Sequence, residues 1–293
     1  MDYQKTILAF HEEKGADVTV ATIPVTAEES SAFGILRTDE DGRITTFREK
    51  PRQDALEGLD SPVPEAMEAQ GRRYLASMGI YVFNRDLLSE MLAEHPEATD
   101  FGKEILPAAL ESRRVYAYPF EGYWSDIGTI RSFYDANIDL ASPNPAFDLY
   151  DPRAPLYTRA RMLPPAKVED CRVRHALIAE ASVVVGSVIE DSVIGMRSFI
   201  EQGCTIRRSV LLGADYVPWR DGREYAPDAP DYPGVGEYTV IEDAIIDKNV
   251  RIGPNCRITN RNGISEGEGP FHCIRDGIVV IPKNSVVPED TWL

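Results

Sequence analysis

A few positions carry side chains whose type and surroundings suit chemistry. Lys50 stands in Phe47-Arg48-Glu49-Lys50-Pro51, a point cation beside a carboxylate at a strand end that Pro51 fixes. Ser77 lies in Ala76-Ser77-Met78-Gly79-Ile80-Tyr81, and Asp126 in Gly122-Tyr123-Trp124-Ser125-Asp126-Ile127-Gly128-Thr129. A hard divalent ion bridging phosphate oxygens takes one or two carboxylates, which suits Asp126. So does a capping role, three residues ahead of a helix that begins near Thr129. Gly34 and Gly79 permit close backbone approach, and Gly34 also fits the opening of a hairpin. Arg159, Arg161 and Lys248 are three cations that could build a local anion site, or ordinary surface side chains.

Composition narrows the ligand. Thirty-one basic against forty-eight acidic residues give a net charge of −17, which excludes binding along a nucleic-acid backbone. It does not exclude a small phosphorylated molecule, because a few local cations suffice. No window approaches the ~18 apolar residues of a membrane helix, so no membrane partner is expected. The four cysteines, Cys171, Cys204, Cys256 and Cys273, show no CxxC spacing and suit a reduced, cytoplasmic protein without disulfide or zinc.

The elements that must position these residues fall into two grammars. In the first, Gln4 to Lys14 has helical spacing and stops at Gly15, and Asp17–Pro24 is a β-branched run suited to a buried strand. Gly34–Thr38 and Arg43–Phe47 form a hairpin turning on Asp41-Gly42. Tyr74–Phe83 is a further strand, followed by a helix carrying Leu87, Leu88, Met91 and Leu92. Asp100–Glu111 is helical, Val115–Pro119 a strand, and Thr129–Leu140 a helix with Ile130, Phe133, Tyr134 and Ile138 inward. This alternation makes residues 1–140 an α/β domain with a mixed, mostly parallel sheet. Residues 141–165, proline-rich and without period, are a linker.

The second grammar is a repeat. Ile194, Ile200, Ile206 and Leu212 lie six apart, as do Val240, Ile246, Ile252, Ile258 and Ile264. Neither a helix nor a simple strand has that period. Hexapeptide-type spacing with Gly195, Gly203, Asn249, Gly253 and Asn255 near the corners predicts a left-handed parallel β-helix over 166–293. Residues 213–236, polar and rich in proline, form a loop ejected from one coil.

Taken in order, Ala32-Phe33-Gly34, Phe47–Pro51, Ala76–Tyr81, Gly122–Thr129, Tyr157-Thr158, Leu163-Pro164-Pro165 and the ending Ala244–Gly253 resemble the glucose-1-phosphate adenylyltransferase (ADP-glucose pyrophosphorylase) family. The resemblance covers essentially the whole chain. It implies a Rossmann-like nucleotidyltransferase domain followed by the β-helix, in an allosteric cytoplasmic homotetramer of glycogen or starch synthesis. The implied reaction is ATP + α-D-glucose 1-phosphate → ADP-glucose + diphosphate, with Mg²⁺. The resemblance makes Lys50 the cation for the sugar phosphate and Glu49 the acceptor for sugar hydroxyls. It places Ser77 and Gly34 beside the same sugar and makes Asp126 one of two aspartates holding the metal. It assigns Arg159, Arg161 and Lys248 to a phosphorylated glycolytic effector. Arg159 departs from the glutamine frequent in relatives.

One departure is larger. The family's Gly-rich phosphate loop, adenine-binding segment and other metal aspartate lie upstream of the residues matching Met1, and before Gly34 this chain has one glycine, Gly15. The expectation is a chain lacking the N-terminal nucleotide-binding segment, with the ATP site largely missing and activity lost. A strand such as Asp17–Pro24 would then be left as an open edge. A non-catalytic regulatory or assembly subunit, or another sugar-phosphate nucleotidyltransferase, are the alternatives. A β-helix acyltransferase fits worst, since His175 and His272 flank the regular repeat.

Overall fold

The computed structural model describes residues 4–152, 155–215 and 233–293. The chain divides into two compact units, Met1–Gly122 and Tyr123–Leu293.

The first unit is built on five strands: β1 (Val18–Val25), β2 (Gly34–Thr38), β3 (Ile44–Glu49), β4 (Tyr74–Phe83) and β5 (Val115–Pro119), in the order β3-β2-β4-β1-β5. β1 is the β-branched run, buried along nearly its whole length because it lies between β4 and β5, not at an edge. Pro24 is tolerated there because β5 ends opposite Thr22, so no ladder bond is lost. One face of the sheet packs Val20, Leu36 and Leu75 against Ile105, Leu106 and Ala109 of the helical stretch Phe101–Ser112. The other covers Ile35 and Ala76 with Leu56 and Leu59.

The sheet is mixed, but its parallel share is smaller than the sequence suggests. Among the described residues only β1–β5 is parallel, while β1–β4, β2–β3 and β2–β4 are antiparallel. The cause is local: β2 and β3 are a tight hairpin, in which Asp39 accepts the backbone N–H groups of Asp41 and Arg43 and Gly42 takes a positive φ of 83°. The leading helical stretch, Gln4–Leu8 and Ala9–Glu13, ends at Gly15 as its spacing predicts. The Gly15 and Ala16 N–H groups return to the Glu12 and His11 carbonyls.

The second unit is a parallel β-helix. Three ladders of short parallel strands run along it, one of them joining Val183–Val185, Phe199–Ile200, Gly234–Val235, Arg251–Ile252 and Val286–Val287. Ile189 lies opposite Ile206, seventeen residues on, so the coil is not a strict multiple of six. The fully inward residues are Ile189, Ile194, Ile200, Ile206 and Leu211, then Val235, Ile241, Ile246, Ile252 and Ile258. One side of each coil has five residues and the others six. That slip carries Leu211 and Ile241 inward in place of the expected Leu212 and Val240.

Two coil steps are about twice the usual length in sequence. Ile206 pairs with Ile241 thirty-five residues on, about twice the coil length, and Ile246 pairs with Ile281 at the same offset. The first gap holds most of the expected loop, whose central residues 216–232 lie outside the described residues. Its expected end does not hold, because Gly234–Val235 is a coil strand. The second gap was not foreseen. It holds a hairpin of Gly267–Glu268 with Cys273–Arg275, and Ile264, which seemed to extend the repeat, is 42% exposed at its entrance.

Small polar residues stack at the corners. Ser187, Cys204, Thr239 and Cys256 recur one per coil, each side chain reaching a carbonyl of the next turn while Ser187 and Thr239 accept its N–H. The helix Ile130–Leu140 also belongs to this unit. Its expected inward face exists, but Tyr134, with Ile130, Phe133 and Ile138, packs on Val210, Ile245 and Ile278 of the coils. A sequence boundary at 140 assigns that helix to the first domain.

Candidate functional site

At the end of β3 the chain turns through Lys50, whose φ is 46°, and the Lys50 N–H is held by the Phe33 carbonyl at 3.0 Å. A non-glycine residue in the left-handed region is uncommon and is held there by its surroundings. Here these are the β2–β3 pairing, Gly34 opposite Glu49, and the buried Pro51 that follows. The Lys50 side chain is left in solvent. A Cβ at Gly34 would lie 2.5 Å from Phe47 Cζ and 2.7 Å from Glu49 Oε2. Gly34 is therefore glycine because the Phe47 ring and the Glu49 carboxylate lie across it.

The Glu49 carboxylate also borders Gly102, whose Cβ would stand 3.1 Å from Glu49 Oε2 and 3.3 Å from Asp100 Oδ1. Asp100 caps the helical stretch after it, accepting the Lys103 N–H at 2.9 Å. Backbone N–H groups of Lys103 and Gly102, with the charges of Lys103 and Lys50, hold its carboxyl below the usual carboxylate range. From β4, the Ser77 and Tyr81 hydroxyls lie 3.4 Å apart. They meet because β4 carries a bulge: Val20 pairs with Tyr81 and Thr22 with Ser77, and the Gly79 N–H turns back onto Ser77 Oγ at 3.3 Å. Burial holds the Tyr81 hydroxyl above its ordinary value, and the negative charges of Glu49 and Asp100 add to this.

Gly34, Glu49, Lys50 and Ser77 are thus gathered at one end of the sheet, joined by two residues the sequence reading missed, Tyr81 and Asp100. Tyr81 sat inside a noted motif. Asp100 was legible only as a helix start, because what brings it to Glu49 is the fold of a distant segment.

In the second unit Asp126 is exposed. It is not the cap of the helix behind it: Thr129 accepts the Ser132 N–H at 3.1 Å, and Ser132 Oγ accepts the Thr129 N–H at 3.2 Å. The capping alternative falls, and the carboxylate is left available to a ligand.

Arg159, Arg161 and Lys248 line one cleft of ≈ 380 Å³. The structure adds Arg197, which nothing in the sequence singled out, and Asp215. Asp215 accepts from Lys248 Nζ at 3.0 Å and from Lys283 Nζ at 2.6 Å.

Residues 1–142 match the nucleotidyl transferase family, and residues 161–292 match the GLGC left-handed parallel beta-helix domain. The chain has the domain architecture of glucose-1-phosphate adenylyltransferase. The helix Ile130–Leu140 belongs to the nucleotidyl transferase segment in sequence and to the coils in packing. As a nucleotidyltransferase the chain is expected to handle nucleotide and sugar-phosphate substrates, and the family typically works with Mg²⁺. Among the described residues no three His, Cys, Asp or Glu side chains converge on one point. Mg²⁺ bound through one or two carboxylates together with substrate phosphates needs no such cluster. No helix among the described residues is long and apolar enough to cross a membrane.

Proposed function

We propose that this protein is of the glucose-1-phosphate adenylyltransferase type, whose reaction forms ADP-glucose and diphosphate from ATP and α-D-glucose 1-phosphate. With a single glycine ahead of Gly34 it carries no Gly-rich phosphate loop of its own, and alone it is expected to turn over at no measurable rate. The observation that carries this reading is the presence of both matched domains, nucleotidyl transferase and GLGC-type β-helix, in one chain. In the reaction a sugar-phosphate oxygen forms a bond to the α-phosphorus of the nucleotide, and the bond to the departing diphosphate breaks. Two anions must be brought together, so catalysis rests on positioning and charge neutralisation.

Lys50 supplies a mobile ammonium to the sugar phosphate from a backbone turn that β2 and Pro51 hold rigid. Glu49, held across Gly34, accepts from sugar hydroxyls, and Ser77 with Tyr81 lies on the same side. Asp126 is the carboxylate for Mg²⁺, which when bound neutralises triphosphate charge. The cleft of Arg159, Arg161 and Lys248 receives a phosphorylated effector. A cytoplasmic homotetramer in glycogen or starch synthesis completes the proposal.

Calorimetric titration with glucose 1-phosphate tests the sugar-phosphate site. Lys50→Ala removes one charge-assisted phosphate contact, worth roughly 2–3 kcal/mol, so the dissociation constant is expected to rise ~30–150-fold. An unchanged constant would remove Lys50 from the site.

A further inference from the structure

The cleft bounded by Arg159, Arg161, Arg197 and Lys248 contains its own anion. Asp215 is the one carboxylate among its described lining residues. It is tied to two lysines from successive coils, Lys248 at 3.0 Å on one oxygen and Lys283 at 2.6 Å on the other. Asn249 holds it from both sides: its Nδ2 donates to Asp215 Oδ2 at 3.2 Å, and its Oδ1 accepts the Asp215 N–H at 2.8 Å. Asn249 and Asn284, each in the left-handed conformation at a coil corner, are themselves bonded at 3.1 Å. The corner therefore presents the carboxylate and both lysines as a preassembled set. The lysines remain about half exposed, at 46% and 47%.

We propose that Asp215 is a built-in counter-anion of this cleft, occupying Lys248 and Lys283 until a phosphate-bearing small molecule displaces it, and thereby setting the affinity of the site. This deepens the effector reading of the cleft and rests on it. The chemistry favours exchange over simple addition. A phosphate group brings about two negative charges and three acceptor oxygens, where the carboxylate brings one charge and two oxygens. Both ammonium groups end flexible, half-exposed side chains, so leaving Asp215 asks for rotamer changes only. Arg159, Arg161 and Arg197 add guanidinium groups suited to paired contacts with the same oxygens. The two pairs are solvent-accessible, so each holds its lysine by a factor of about five at most.

Calorimetry with inorganic phosphate as probe tests this on the whole chain. Asp215→Asn, which keeps the contact with Asn249, is expected to bind phosphate about three- to tenfold more tightly, and Asp215→Ala likewise. Arg161→Ala and Lys248→Ala are expected to weaken binding. In the unsubstituted protein, saturating phosphate is expected to shift the ¹³Cγ resonance of Asp215 as its ion pairs break. That reading does not depend on any variant folding. If Arg161→Ala weakens binding while both Asp215 variants bind no more tightly, or the Asp215 resonance stays fixed at saturation, the counter-anion inference is wrong and the cleft reading stands. If phosphate binding is absent throughout, or indifferent to Arg161 and Lys248, the cleft is no anion site and both fall.

Discussion

At the scale of single residues, Gly34 shows how an absent side chain shapes a site. Its missing side chain is the space in which Glu49 and Phe47 lie, with contacts of 2.7 and 2.5 Å to a would-be Cβ. Gly34→Ala should push the carboxylate and ring aside. Overpacking of this kind costs ~1–3 kcal/mol, and glucose 1-phosphate affinity is expected to fall with it. Thermal melting and calorimetry on the same variant check both halves; an unaltered affinity would show that Glu49 does not serve the sugar. The residue types at this site were legible because they sit together in sequence, in Phe47–Pro51 and Ala76–Tyr81. Asp100, Arg197, Asp215 and Lys283 were not, because each gains its partners through distant chain.

The elements explain where sequence patterns held and where they slipped. An aliphatic repeat near six is visible because each coil side buries one branched side chain, but the shorter third side makes the true repeat seventeen. Val240 and Leu212 keep the arithmetic of six and miss the core. Ile264 has the right spacing by coincidence, and only the pairing of Ile246 with Ile281 reveals a second ejected segment. Helix Ile130–Leu140 announced its apolar face but not its partner, since the face fixes only that something apolar must cover it.

The corner columns give element-scale expectations. Cys204 Sγ reaches the Gly236 carbonyl at 3.2 Å, in a column where other coils use Ser187 and Thr239 for the same task. Cys204→Ser should therefore cost under ~1 kcal/mol. Cys204→Val, which strands a buried carbonyl, should cost ~1–3 kcal/mol by denaturant unfolding. Burial also pushes the Cys204 thiol up to about 11 from an ordinary 9.0. A proton held more tightly in the folded state stabilises fully below the unfolded value and is lost as pH climbs through the folded one. The Cys204 contribution, on the order of 2 kcal/mol, should then persist at pH 8 and disappear between about pH 9 and 11. Cys204→Ser should be the variant that loses this alkaline sensitivity, and an identical pH profile in the two proteins would refute the assignment.

For the whole molecule, the strong negative charge makes local cations decisive. A chain of net charge −17 repels phosphorylated ligands at long range. In the proposed function, binding therefore rests on Lys50 in one unit and the arginine- and lysine-lined cleft in the other. The pairing of a nucleotidyl transferase domain with a GLGC-type β-helix is the ground on which ADP-glucose chemistry is proposed from among the wider reactions of nucleotidyltransferases. The nucleotide itself is the sharpest discriminator. The deciding measurement joins the protein to a homologous Gly-rich phosphate-loop segment, since Gly15 is the one glycine ahead of Gly34, incubates it with glucose 1-phosphate, Mg²⁺ and, separately, ATP, UTP, GTP, CTP and dTTP, and identifies nucleotide sugars by mass spectrometry alongside diphosphate release. ADP-glucose formed in step with diphosphate, with ATP preferred over every other nucleotide, is the expected result. UDP- or dTDP-glucose as the main product would make this another sugar-phosphate nucleotidyltransferase, and no nucleotide sugar from any of the five would contradict the catalytic claim.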